Sequence, residues 1–138
     1  MEHWELVARE SIRDLVARYN ANGDSGRIDQ VLALFVPDAS MEVGGSWHHG
    51  RQEIERIFTG AEARFAKLPN FTHLRHSTAT LQIDLVDRTH AKSRCYFFVM
   101  MDHGLDHWGR YLDEFAVVEG KWMFTQRRVL IDKETRPL

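Results

Sequence analysis

The periodicity of this chain changes once, near Pro69, and that change limits the fold more than any other feature. Before it, apolar residues recur at helical spacing. After it come four long segments rich in β-branched and aromatic residues, separated only by short turns. Over the first 22 positions Trp4, Val7, Ile12, Leu15, Val16 and Tyr19 return every three to five residues, which predicts an amphipathic helix. The small polar and glycine residues at 22–26 end it. A second short helix carries Ile28, Val31, Leu32 and Phe35 and stops before Pro37. A short strand is expected over 38–43, and a third helix, with Ile54, Ile57, Phe58 and Phe65, after Gly50. Strands follow over 71–86, 90–102, 107–118 and 121–131. Helices grouped first and strands grouped after them specify an α+β domain, with helices on one face of an antiparallel meander. No linker or repeat divides residues 1–138, so one domain is expected.

Composition narrows the function classes. A formal net charge of −2 offers no electrostatic case for nucleic acid or an anionic membrane surface. The acids at Glu2 and Glu5 stand where a signal peptide would carry basic residues, and the longest apolar run, 95–101, falls far short of the ~20 residues a bilayer requires. A cytoplasmic protein is expected. One cysteine excludes an internal disulfide, and within its apolar run Cys95 reads as a packed thiol. The eight histidines invite a metal reading, but none of their spacings matches a ligand set, so no metal site is expected. His48 and His49 fall in a turn, His73 and His76 point to opposite faces of a strand, and His103 and His107 flank a turn.

Strand phase offers a pocket. On 90–102, Ala91, Ser93, Cys95, Phe97, Val99 and Met101 share one face, and Lys92, Arg94, Tyr96, Phe98 and Met100 share the other. On the next strand Gly109, Tyr111, Asp113, Phe115 and Val117 line one side. A tyrosine and an aspartate among apolar neighbours suit a small-molecule site. Asp102, Trp122 and Arg128 are further pocket candidates, Arg128 because it shares strand parity with Trp122 and Phe124.

The run from Arg18 to Phe35 with Pro37, Asp38 and Ala39 resembles the opening of the SnoaL-like group of the nuclear-transport-factor-2-like superfamily. Gly109-Arg110-Tyr111, Asp113-Glu114-Phe115, Glu119-Gly120-Lys121-Trp122 and Arg127-Arg128 resemble its ending. The resemblance implies a curved antiparallel sheet wrapped around three N-terminal helices into a cone-shaped barrel with an interior pocket. It also implies pairing of copies, as a homodimer or other homo-oligomer, through the outer sheet face, where Tyr96 and Phe98 would lie. In the scytalone dehydratase, bile acid dehydratase and dehydrochlorinase branches, an aspartate after the first helix pairs with a histidine on the first long strand. The matching positions are Asp24 and His76, and Tyr19 matches a tyrosine of the bile acid dehydratases. Steroid isomerases place their base near Val43, so their mechanism is not expected.

Those three residue types make chemical sense together. Imidazole is a base suited to neutral pH. A carboxylate on its other nitrogen sets the tautomer and stabilises the imidazolium. A phenol can donate to a carbonyl oxygen gaining enolate charge. The implied function is a cofactor-independent lyase or isomerase, dehydratase-like, acting on a hydrophobic carbonyl-bearing small molecule. Two alternatives remain open: a polyketide cyclase, and a non-catalytic member that binds a small molecule or serves a ring-hydroxylating dioxygenase as a β-subunit-like partner. Structural readings compete for each residue. Asp24 also suits a helix N-cap, Tyr19 a core position, and His76 a surface position. Five residues of helix turn through about 500°, so Tyr19 and Asp24 converge only if the helix ends before Asp24. By parity, His76 faces away from Leu81, Ile83 and Leu85, so it lines the site only if a bulge intervenes or the pocket lies on the other face.

Overall fold

A computed structural model describes residues 1–135. Helix α1 (His3–Asp24) opens the chain with a capping box, in which Glu2 and Glu5 satisfy one another's free backbone N–H groups. Its inner stripe is Ala8, Ile12, Leu15, Val16 and Tyr19. The helix runs through Asp24 rather than breaking at Asn22, because Asn22 itself organises the end. Its side chain donates to the Arg18 carbonyl and accepts from Arg27, and its carbonyl accepts from the Ser25 and Arg27 N–H groups. Asp24 is therefore the last helical residue and not the cap of the next helix. Helix α2 (Ile28–Leu32) is a single turn; β1 (Phe35–Val43) and β2 (Ser46–His49) form a hairpin, and α3 (Gly50–Ala66) follows. The histidines expected in a turn thus lie on a strand. The remaining strands are β3 (Arg75–Leu85), β4 (His90–Met101), β5 (Gly104–Val118) and β6 (Lys121–Glu134).

The six strands form one sheet in the order β2-β1-β6-β5-β4-β3. The last four make the expected antiparallel meander. The sheet as a whole is mixed, because β1 lies parallel to β6, Met41 opposite Arg127 and Val43 opposite Val129. Its two edges, β2 and β3, do not pair, so the cone is open along that side. The helices fill its inside: α1 packs on both β3 and β6, and α3 on β1. The Arg9 guanidinium, donating to the Ile83 carbonyl at 2.8 Å, ties α1 to the edge strand. On β4 burial alternates residue by residue, which places Ala91, Ser93, Cys95, Phe97 and Val99 inward and leaves Tyr96 and Phe98 exposed on the outer face.

Single-residue bulges decide what else faces inward. On β3 the register against β4 slips by one between Ala79 and Gln82, where Thr80 adopts φ 57°. A β-branched residue rarely tolerates that region, and the slip reverses parity, so His76 and Ile83 face the same side. On β6 the register against β5 slips between Phe124 and Gln126, which brings Phe124 and Arg127 both inward. On β5 a slip beside Asp106 lets the adjacent Asp106 and His107 both turn in. Among the described residues, no helix is long and apolar enough to cross a membrane.

A further irregularity falls at Gly109, where β5 presses against β6 so closely that a Cβ would stand 1.9 Å from the Leu130 carbonyl oxygen. Gly109→Ala must displace backbone, and a loss of about 1–3 kcal/mol or more is expected in urea denaturation. Gly60→Ala in α3, where nothing lies within 4 Å, should instead gain up to about 1 kcal/mol.

Candidate active site

Between the end of α1, the face of α3 and the inner sheet lies a cavity of about 630 Å³. Its deep wall is aromatic and aliphatic, with Tyr19, Met41, Phe97 and Tyr111 buried, while Phe58 and Ile57 close it from α3. The imidazoles of His76 and His107 and the Asp24 carboxylate interrupt this surface, and the exposed His73 lines the cavity as well.

Asp24 holds His76 at two points. One carboxylate oxygen accepts the His76 backbone N–H at 2.9 Å, and the other lies 2.6 Å from Nδ1. The side chains of Asp24 and His76 are 9% and 24% exposed. A carboxylate accepts only, so Nδ1 carries the hydrogen and Nε2, on the far side of the ring from Asp24, keeps its lone pair. Phe97 stacks beside the imidazole, with ring centroids 6.4 Å apart.

Beneath the cavity Arg127 and Asp113 form a fully buried, two-pronged pair, Nε to Oδ1 at 2.7 Å and Nη2 to Oδ2 at 2.8 Å. The guanidinium carbon lies 4.1, 3.9 and 4.7 Å from the ring centroids of Tyr19, Tyr111 and Phe124. Burial opposes the guanidinium charge, but the Asp113 carboxylate outweighs it and holds Arg127 protonated. Burial also pushes the Tyr19 phenol up to about 12 against the opposing pull of Arg127, and raises the Tyr111 phenol well above its ordinary value. Both are neutral donors at any physiological pH. The Tyr111 hydroxyl donates to Asn20 Oδ1 at 3.3 Å.

A model of the SnoaL-like domain matches residues 4–128. The chain is a SnoaL-like domain. A candidate scytalone dehydratase from Novosphingobium aromaticivorans shares its fold with a TM-score of 0.83 at 22% identity, over 98% of this chain and 91% of that one. A hexachlorocyclohexane dehydrochlorinase from Novosphingobium barchaimii gives 0.79 at 16% identity, over 96% and 91%. A protein of unknown function with a cystatin-like fold from Nostoc punctiforme gives 0.80 at 21%, over 90% of each chain. No curated protein matches the chain.

In this SnoaL-like domain Tyr19, Asp24, His76 and Tyr111 line one cavity. Tyr19 and Asp24 reach it without any unwinding of α1, because the cavity wraps the helix end and takes Tyr19, Asn20, Gly23 and Asp24 together. The other five candidates stand elsewhere. Asp113 is under the wall, committed to Arg127. Phe115 is deeper on the same strand, packed on Phe124 with centroids 4.9 Å apart. Trp122 lies at the far end of β6, in a groove beside the start of α1. Asp102 accepts from the Thr72 N–H and hydroxyl in an exposed turn, and these hydrogen bonds hold its carboxyl below the usual range. Arg128 points outward, 3.3 Å from Glu42, because the β6 bulge reverses its parity. Sequence reasoning passed over Arg127, Asp106 and His107. The signal for Arg127 was present: Trp122 and Phe124 share one phase and Val129 and Ile131 the other, so a bulge had to fall between them.

Arg127→Leu strands the Asp113 carboxylate and should cost about 3–5 kcal/mol in chemical denaturation, much of it recovered by adding Asp113→Leu. The raised phenols set an alkaline limit. The contribution of Tyr19 to stability is complete below the unfolded pKa of 10 and is lost as pH rises through about 12, and Tyr111, raised in the same direction, acts with the same sign. Ultraviolet titration should show Tyr19 and Tyr111 ionising only as circular dichroism reports unfolding.

Proposed function

We propose that this domain is a lyase or isomerase of hydrophobic carbonyl compounds, with His76 as the base, Asp24 as its orienting partner and Tyr19 as donor to the carbonyl oxygen. The observation that carries this reading is the two-point hold of Asp24 on His76 inside an apolar-walled cavity. His76 Nε2 removes a proton from the carbon beside the carbonyl, and Asp24 stabilises the imidazolium that results. Tyr19, kept neutral by burial, donates to the oxygen as enolate charge builds. Phe97 and Tyr111, stacked on one another with centroids 4.4 Å apart, give the cavity wall an aromatic lining. The enolate then expels a β-substituent or takes its proton back at another carbon. The names of two structural relatives, a dehydratase and a dehydrochlorinase, describe eliminations and support the first course.

The test is proton exchange in D2O with a panel of monocyclic and bicyclic ketones, followed by NMR. The wild type should accelerate α-proton exchange, and His76→Ala should lose about 100-fold or more. Asp24→Asn should fall in the same direction, and Tyr19→Phe should lose about 100-fold. A wild type that binds these ketones but exchanges none of them is a binding module and not an enzyme of this class.

A further inference from the structure

A second carboxylate–imidazole pair stands beside the first. His107, 14% exposed, lines the same cavity, and its ring meets His76 edge-on with centroids 6.4 Å apart. Its Nδ1 lies 2.7 Å from Oδ2 of the fully buried Asp106, whose Oδ1 lies 3.1 Å from Nε2 of the exposed His103. Both oxygens of Asp106 thus face imidazoles, which sets the plane of the His107 ring and turns its Nε2 away from the carboxylate, as Asp24 does for His76. Phe97 and Val99 of β4 flank the two rings with apolar surface. The titratable groups around His107 are His76 from β3, Glu134, its partner on β6, and Asp106 and His103 on its own strand and turn. A wall histidine that only filled space would need no fully buried carboxylate behind it, since burying that charge is itself costly.

We propose that His107 is the general acid of this site, protonating the leaving group while His76 removes the proton, with Asp106 and His103 as positioning residues. The proposal rests on the function proposed above. In a β-hydroxy ketone, His76 Nε2 takes the α-proton and the C–H electron pair becomes the new C=C bond. The C–O bond breaks, and His107 passes its Nε2 proton to the departing oxygen, which leaves as water. His107 enters doubly protonated, since its Nδ1–H is given to Asp106, and ends neutral; His76 enters neutral and ends as the imidazolium beside Asp24. Exchange with solvent resets both. Because the two rings stand on one wall, proton and leaving group depart from the same face of the substrate.

Two probes separate the roles. Exchange of 1-decalone α-protons in D2O needs only the base, whereas conversion of 3-hydroxy-1-decalone to its enone, read by ultraviolet absorbance, needs the acid as well. The wild type should do both. His107→Gln should keep exchange within about threefold and lose about 100-fold or more in dehydration, while His76→Gln loses both. His107→Phe fills the same volume without a proton and repeats the test, and retained exchange certifies an intact cavity. Dehydration unchanged in the His107 variants, or exchange falling as far as dehydration, overturns the role of His107 and leaves that of His76 standing. A wild type that exchanges but does not dehydrate also overturns it. A wild type that does neither overturns the reading of His76 on which the proposal rests.

Discussion

Arg127 carries a full charge to a place that water does not reach, and much of this structure is arranged around keeping it there. Removing a guanidinium from water costs several kcal/mol, which the protein offsets with a two-pronged carboxylate and three aromatic faces. Those partners come from α1, β5 and β6, so one side chain fastens the helix to the two central strands of the sheet. The same stack is the cavity floor. Tyr19 and Tyr111 are held rigidly because the cation between them tolerates little displacement, and they are dry because everything beneath them is packed.

Asp24 is placed at odds with helix stability. A carboxylate in the last turn of α1 meets the negative end of the helix dipole, and that turn carries no basic residue to compensate. What compensates is β3, through the backbone N–H and imidazole of His76. The interaction therefore spans two elements, and on β3 the geometry is not locally favoured: Thr80 takes a left-handed conformation at the bulge that lets His76 face the helix. Local strain of about 1–3 kcal/mol concentrated beside a reactive group is common in sites that hold a side chain for chemistry.

The architecture was legible in the sequence because it rests on periodicity, and periodicity survives without three-dimensional context. The change of period near Pro69 places three helices before a meander, and the match of Tyr19, Asp24 and His76 to a family pattern draws attention to residues that do share a cavity. Trp122 keeps the inward phase of Phe124 but lies at the far end of β6 from the cavity, whereas Arg128 was misplaced for another physical reason. A period of two propagates along a strand only until a bulge, and a single inserted residue exchanges every later inward position for an outward one. Asp106 and His107 were hidden by the same device, since neighbours on a regular strand point to opposite faces. Parallel pairing of β1 with β6 left no trace in either strand, because it depends on where the helices deliver β1 and not on the composition of β1 itself.

That parallel pair joins Glu42 to Arg128, which are 86 residues apart. Closing so long a loop costs entropy before any contact returns it, and the strand that completes the sheet's centre is the last among the described residues. Until β6 emerges from the ribosome, β1 has no long partner, Asp113 has no cation, and Tyr19 has no floor to rest on. The charged stack at the heart of the molecule therefore waits on β6, the strand that joins the β1–β2 hairpin to the meander.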